Sequence, residues 1–192
     1  MNLCTKRLIL FDFYGVLSSE IAPKWFSNHI KDKNEANILK NRYFEPADLG
    51  IFTFKETIDL MAKDLGFNSL DILNEMKSYA KLNMELFNKI LELKEKNTIG
   101  LLSNAAIGIF DILYPELDFN LYFDKVFISC DYKIKKPDLR FYNLAVEAFN
   151  SDFSEIYFID DNISNIKVLE NTKIKGILYK NNEQLFKIFD SF

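Results

Sequence analysis

Glycine and proline are scarce in this chain, with 6 and 4 residues among 192. That scarcity excludes collagen-like repeats, Gly-rich flexible arrays and Pro-rich linkers. Cysteine is scarcer still. Cys4 and Cys130 cannot build a disulfide framework and read as reduced thiols of a cytoplasmic protein. Too few residues precede Cys4 for the apolar region of a signal peptide, so no leader is expected there. The single histidine, His29, has no cysteine partner at metal spacing and no nucleophile elbow to serve, which leaves zinc and Ser-His-Asp chemistry without a basis. No apolar run approaches the roughly 18 residues of a membrane span, and no membrane partner is expected. Positive charge is also in short supply: 24 Lys plus Arg against 28 Asp plus Glu give −4, which argues against a nucleic-acid partner.

What remains is an ordinary globular composition, 48% hydrophobic and 27% charged, with 19 phenylalanines to fill a core. A chain of this length buries roughly 70% of its unfolded surface and needs no metal or disulfide staple. Five short apolar runs read as strands: 7–11, 99–102, 126–128, 156–159 and 174–179. They lack polar alternation, as parallel strands covered on both faces do. Between them lie helical faces such as Met84-Leu86-Phe87-Ile90-Leu91-Leu93 and Phe141-Leu144-Ala145-Ala148-Phe149. Strands alternating with helices predict an α/β fold, a Rossmann-like three-layer parallel sheet with right-handed crossovers.

The alternation breaks once. Residues 19–83 contain helical patterns and no strand. Pro23 suits the first turn of a helix over 21–30, and 34–43 is a second candidate. Thr53-Phe54-Lys55-Glu56 has capping-box spacing and opens a third, stopped by Gly66; a fourth starts at Ser69. The expected division is a core of residues 1–18 and 84–192 with an inserted helical cap over 19–83.

Three strands end in residues that a packed core would not choose. The first runs into Asp12, the second into Ser103-Asn104 and the fourth into Asp160-Asp161. Taken singly, each reads as an N-cap or turn residue, and Lys136 as a surface lysine. Taken together, they fall on the carboxyl-end edge of one parallel sheet, where ligands bind. Carboxylates gathered there call for a cation, and hard oxygen ligands around an anionic substrate suit Mg²⁺. Lys136 supplies a positive charge to the same edge. Trp25, Phe26 and Tyr43 read as the insertion's own core before they read as a pocket lining, while the loop at Asp48-Leu49-Gly50 could reach a substrate.

These motifs resemble those of the haloacid dehalogenase superfamily. Leu8-Ile9-Leu10-Phe11-Asp12-Phe13-Tyr14-Gly15-Val16-Leu17 is similar to its first motif, Leu101-Leu102-Ser103-Asn104 to its second, Lys136-Pro137-Asp138 to its third, and Phe158-Ile159-Asp160-Asp161-Asn162 with Asn165 to its fourth. The Asp-Asp fourth motif and the short helical insertion resemble most the small sugar-phosphate phosphatases. The resemblance implies Asp12 as nucleophile through an aspartyl-phosphate. It implies Mg²⁺ on Asp12, Asp161 and the Tyr14 carbonyl, and a phosphoryl group held by Ser103, Asn104 and Lys136. Asp160 then supports the metal site or serves it as an alternative ligand, and Asn165 positions Lys136 or the acidic loop. The implied ligand is a small phosphorylated molecule.

One position departs from the family pattern. Tyr14 stands where most family phosphatases carry a second Asp, the group that protonates the leaving oxygen and activates water. A phenol, with an unperturbed pKa near 10, is a poor substitute. An aromatic residue here resembles the 2-haloacid dehalogenases, whose fourth motif lacks the metal-binding Asp that this chain has as Asp161. A dehalogenase-type hydrolase and a catalytically impaired phosphate- or partner-binding scaffold are therefore the alternatives. Without that second Asp, rates are expected to fall with rising leaving-group pKa unless another residue, from the cap, supplies the proton.

Overall fold

A computed structural model describes residues 6–190 and 192; Cys4 lies outside them. The apolar runs form β1 (Arg7–Phe11), β2 (Thr98–Ser103), β3 (Lys125–Ile128), β4 (Glu155–Asp160) and β5 (Ile174–Leu178). They make one sheet in the order β3-β2-β1-β4-β5. Every neighbouring pair is parallel. Two boundaries shift in a way that matters. Ser103 and Asp160 are the last residues of their strands, drawn into the ladder opposite Ile128 and Leu178, and β5 stops one residue early, at Leu178.

The helices are α1 (Ala22–His29), α2 (Lys33–Asp48), α3 (Phe54–Leu65), α4 (Ser69–Tyr79), α5 (Met84–Lys94), α6 (Ile109–Leu113), α7 (Phe119–Tyr122), α8 (Ser129–Tyr132), α9 (Leu139–Glu147), α10 (Ile163–Lys167) and α11 (Asn182–Phe189). Successive β1 residues feed opposite layers, as the period of a strand requires. Ile9 and Phe11 join the core with α5 and the helices after β1, whereas Leu8 and Leu10 pack with Phe141, Tyr142 and Ala145 of α9. Met84, expected on the buried face of α5, is its exposed first residue, and Phe149 packs from beyond the end of α9.

Helices α1–α4 lie between β1 and α5, as the pattern predicts. The Thr53 box forms: Thr53 Oγ1 accepts from the Glu56 N–H at 3.2 Å and Glu56 Oε2 accepts from the Thr53 N–H at 2.7 Å. Gly66 closes α3 in the left-handed region at φ +75°. Helix α2 runs on to Asp48, past the expected end at Tyr43. Pro46 falls in its last turn, and burial of Tyr43 and Ala47 holds that turn against the lost N–H. The two chain crossings into this segment are tied together. Ser19 N–H donates to Lys81 O at 3.0 Å and Asn83 N–H to Leu17 O at 2.9 Å.

The loop after β1 turns on Gly15, at φ +79°, whose N–H donates to Ser18 O at 2.7 Å. A Cβ there would stand 2.2 Å from Asp161 Oδ2. Backbone and β4-end carboxylate thus approach as closely as only glycine permits. Gly15→Ala is expected to lower stability by more than about 1 kcal/mol, from strain and contact together. An unchanged urea midpoint would show that the loop can yield.

Candidate active site

The strand order places β1 beside β4, with Phe11 opposite Ile159, so Asp12 and Asp160 leave the same sheet edge side by side. The Asp12 N–H extends that ladder to Ile159 O at 2.9 Å. Between the two carboxylates sits Lys136. Its Nζ lies 2.6 Å from Asp12 Oδ1 and 2.8 Å from Asp160 Oδ2. Lys136 is 3% exposed, which removes the surface-lysine reading. Asn104 fixes the backbone around it: Oδ1 accepts from the Lys136 N–H at 2.9 Å and Nδ2 donates to Lys136 O at 3.0 Å.

The oxygens of Asp160 are heavily used. Oδ2 accepts from Lys136 Nζ and from Asn165 Nδ2 at 2.9 Å, and Oδ1 accepts from the Asn162 N–H at 2.7 Å. Asp12 Oδ1 accepts from the Phe13 N–H at 2.7 Å besides its bond to Lys136. Among the described residues, Asp12, Asp160 and Asp161 offer oxygens that all lie within 4.8 Å of one another. One ammonium stands against three carboxyls. Burial pushes the Asp12 carboxyl well above its ordinary value, opposed by Lys136 and reinforced by Asp160. Burial and Asp160 raise Asp161 as well. Burial alone would lower Lys136, but Asp12 and Asp160 outweigh it and hold the ammonium above its usual value. A site so short of positive charge, built from oxygen donors, fits a hard divalent cation. With Asp160 occupied by three donors, Asp12 and Asp161 are the carboxylates left to hold one.

Asp12, Lys136 and Asp161 floor a cavity of about 190 Å³, a size for a small molecule rather than a polymer, with Asp160 buried out of reach of it. The core contributes Asp12, Tyr14, Asn104, Lys136, Asp161 and Asn165; the segment between β1 and α5 contributes Glu20, Lys40, Phe44 and Asp48. Ser103 is fully buried at the end of β2 and does not line this cavity; its Oγ makes only a long 3.5 Å bond to Asn104 O. Trp25, Phe26 and Tyr43 are buried away from it, as the insertion's own core. His29 stacks on Trp25 and lies 2.7 Å from Glu75, a structural pair. Asp48 stands where the loop pattern pointed. Glu20 and Lys40 had no sequence signal, because neither belongs to a strand end or a motif.

Tyr14 is half-buried, its ring parallel to that of Phe110 at 6.1 Å and edge-on to Phe13 at 5.1 Å. Its hydroxyl is buried with no hydrogen-bond partner, and burial raises its pKa well above 10. A carboxylic acid's work is beyond such a group.

A family model for haloacid dehalogenase-like hydrolases matches residues 6–171. A curated relative, a drimenol cyclase of Aspergillus calidoustus, is 25% identical over 96% of this chain, which spans only 37% of that protein's length. A HAD family enzyme of Bacteroides thetaiotaomicron superposes with a TM-score of 0.78 at 23% identity, covering 96% of this chain and 98% of that one. That enzyme has also been solved with magnesium and inorganic phosphate. The L-2-haloacid dehalogenase of Xanthobacter autotrophicus superposes at 0.59 with 17% identity, over 96% and 82% of the two chains.

Two stability outcomes follow from the geometry. Lys136→Met leaves two buried carboxylates unpaired, and should cost about 3–5 kcal/mol in chelator-treated protein; a smaller loss in urea melts means that water reaches the cluster. Tyr14→Phe removes a buried, unpaired hydroxyl and should be neutral or stabilising by on the order of 1 kcal/mol. A clear drop in the same melts would reveal a partner for that hydroxyl.

Proposed function

The chain belongs to the haloacid dehalogenase-like hydrolases, and we propose that within them it is a Mg²⁺-dependent phosphatase of a small phosphorylated metabolite, with sugar phosphates among the candidates. The observation that carries this reading is the carboxylate cluster of Asp12, Asp160 and Asp161, short of positive charge, which reaches the floor of a small cavity through Asp12 and Asp161. The magnesium and phosphate complex of the Bacteroides enzyme supports it. Residues 19–83 serve as the cap over a core formed by the rest of the chain.

In this reading Asp12 is the nucleophile: its Oδ attacks phosphorus and forms an aspartyl-phosphate, which water then hydrolyses. Mg²⁺ on Asp12, Asp161 and the Tyr14 carbonyl would neutralise the phosphoryl oxygens. Lys136 holds Asp12 in place and adds positive charge to the transferring group. Asp160 is a positioning residue. It fixes Lys136, and Asn165 fixes Asp160 in turn. Asn104 orients the Lys136 backbone and offers its own N–H to the phosphoryl oxygens. Ser103, buried at the end of β2, reaches the phosphoryl group only if its side chain turns when substrate arrives.

Tyr14 favours a second reading, in which Asp12 attacks carbon and a halide leaves without needing a proton. The two readings part on metal. Mg²⁺-dependent release of phosphate from a panel of phosphorylated metabolites is expected, abolished by chelator and by Asp161→Ala. Asp12→Asn should lower turnover on the order of 10⁴-fold or more with the fold intact, as removal of a nucleophile does. Metal-independent halide release from 2-haloacids points to the dehalogenase instead, and a folded protein inert to both panels to a binding scaffold.

A further inference from the structure

The proposed phosphatase lacks a carboxyl two residues past its nucleophile, and Tyr14, with a buried and unpaired phenol, cannot replace it. The cavity contains two other carboxyls that the mechanism has not used, Glu20 and Asp48. They differ in how they are held. Glu20 is exposed; burial of its carboxyl and then Asp161 push its pKa up to about 7 as well, but its nearness to Asp161 means that a cation there would dominate it. Asp48 is half-buried at the end of α2, and that end is seated on the core rather than floating with the insertion. Ser129 Oγ donates to Asp48 O at 2.6 Å. Gly50, at φ +73°, brings the following turn so close that a Cβ would stand 2.6 Å from Cys130 O. The position of Asp48 in the cavity above Asp12 is therefore set by α8, the helix that directly follows β3 of the sheet that sets Asp12.

We propose, on the phosphatase reading above, that Asp48 performs the acid–base work of the missing carboxyl. As the Asp12 Oδ–P bond forms and the bond from phosphorus to the leaving oxygen breaks, the Asp48 carboxyl gives its proton to that oxygen. The Asp48 carboxylate then takes a proton from the water that attacks phosphorus, the Asp12–phosphorus bond breaks, and the products are an alcohol and phosphate with Asp48 protonated again. Its surroundings suit both halves. Burial pushes its pKa up to about 7, while Lys135 and Lys40 pull it down, Glu45 raises it and Lys136 lowers it. Tyr14 and Cys130 also face it and stay neutral, both raised by burial. A group poised near neutrality gives and takes a proton with equal ease.

The test is kcat/KM with Mg²⁺ across aryl and alkyl phosphates, because that ratio reads only the steps through transfer to Asp12. The parent is expected to show a shallow dependence on leaving-group pKa. Asp48→Asn should lose on the order of 10²-fold or more on alkyl phosphates and about tenfold at most on nitrophenyl phosphate, steepening the dependence. The basic limb of the parent's pH profile, near the Asp48 pKa, should disappear with it. Asp48→Glu, which keeps an acid, should retain the shallow slope, and this holds the proposal open to refutation if the Asn variant folds poorly. An equal loss across the whole series, or a steep dependence already present in the parent, overturns the role of Asp48. So does selective loss in Glu20→Gln instead. A parent that hydrolyses none of these phosphates overturns the phosphatase reading itself, and the inference with it.

Discussion

The ammonium of Lys136, buried between the carboxylates of Asp12 and Asp160, is the contact around which the rest of the site is arranged. Burying three such charges is costly unless each is paired and bonded, and here nearly every donor and acceptor has a partner. Asn165 and the Asn162 N–H complete Asp160, the Phe13 N–H completes Asp12, and Asn104 clasps the Lys136 backbone. The groups of this cluster come from the ends of β1, β2 and β4, from α10 and from the loop before α9. The sheet order β2-β1-β4 is what brings those strand ends together at one edge. Sheet topology and charge pairing are two descriptions of one requirement.

The deficit left by that pairing is as informative as the pairing. Asp161 makes no ion pair with Lys136 and sits against the Gly15 turn, with burial and Asp160 raising its carboxyl against the weaker pull of Lys136. A protein that wanted only a stable core would have placed an amide or an alanine there. The arrangement makes sense when positive charge arrives with the ligand, as a cation, and it then costs stability in the absence of that ligand.

The sheet, the insertion and the floor of the site were legible in the sequence because each follows from local chemistry. Buried parallel strands are apolar on both faces, so β1 could be bounded to the residue. The Thr53 box and Gly66 satisfy orphan backbone groups of α3 and so mark its ends. Asp12 and Asp160 were visible because polar residues end apolar runs, and Lys136 because it stands before Pro137 in the Lys136-Pro137-Asp138 motif after the third strand. What was not legible depends on packing across the molecule. The pattern ended the second helix at Tyr43, yet burial of Ala47 carries α2 on through Pro46 to Asp48 at the cavity. Ser103 looked equivalent to Asn104, but the ladder with β3 draws its side chain inside and leaves Asn104 at the surface of the site. Glu20 and Lys40 reach the cavity only through the angle at which the insertion meets the sheet, which no spacing encodes.

Tyr14 ties these threads together. Its ring, against Phe13 and Phe110, belongs to an aromatic cluster that continues through Tyr114 and Phe119 beneath the loop after β1. Packing therefore explains the ring, and an aspartate in its place would put a charge against those faces. On the phosphatase reading proposed above, proton transfer then has to come from elsewhere in the cavity. The remaining wall is made by the insertion, and its half-buried carboxyl is Asp48, anchored to the core through Ser129. On the reading proposed above, the aromatic residue after the nucleophile is thus coupled to the turn that seats α2 on α8: Tyr14 packs the ring cluster, and the Asp48 carboxyl takes the proton-transfer role.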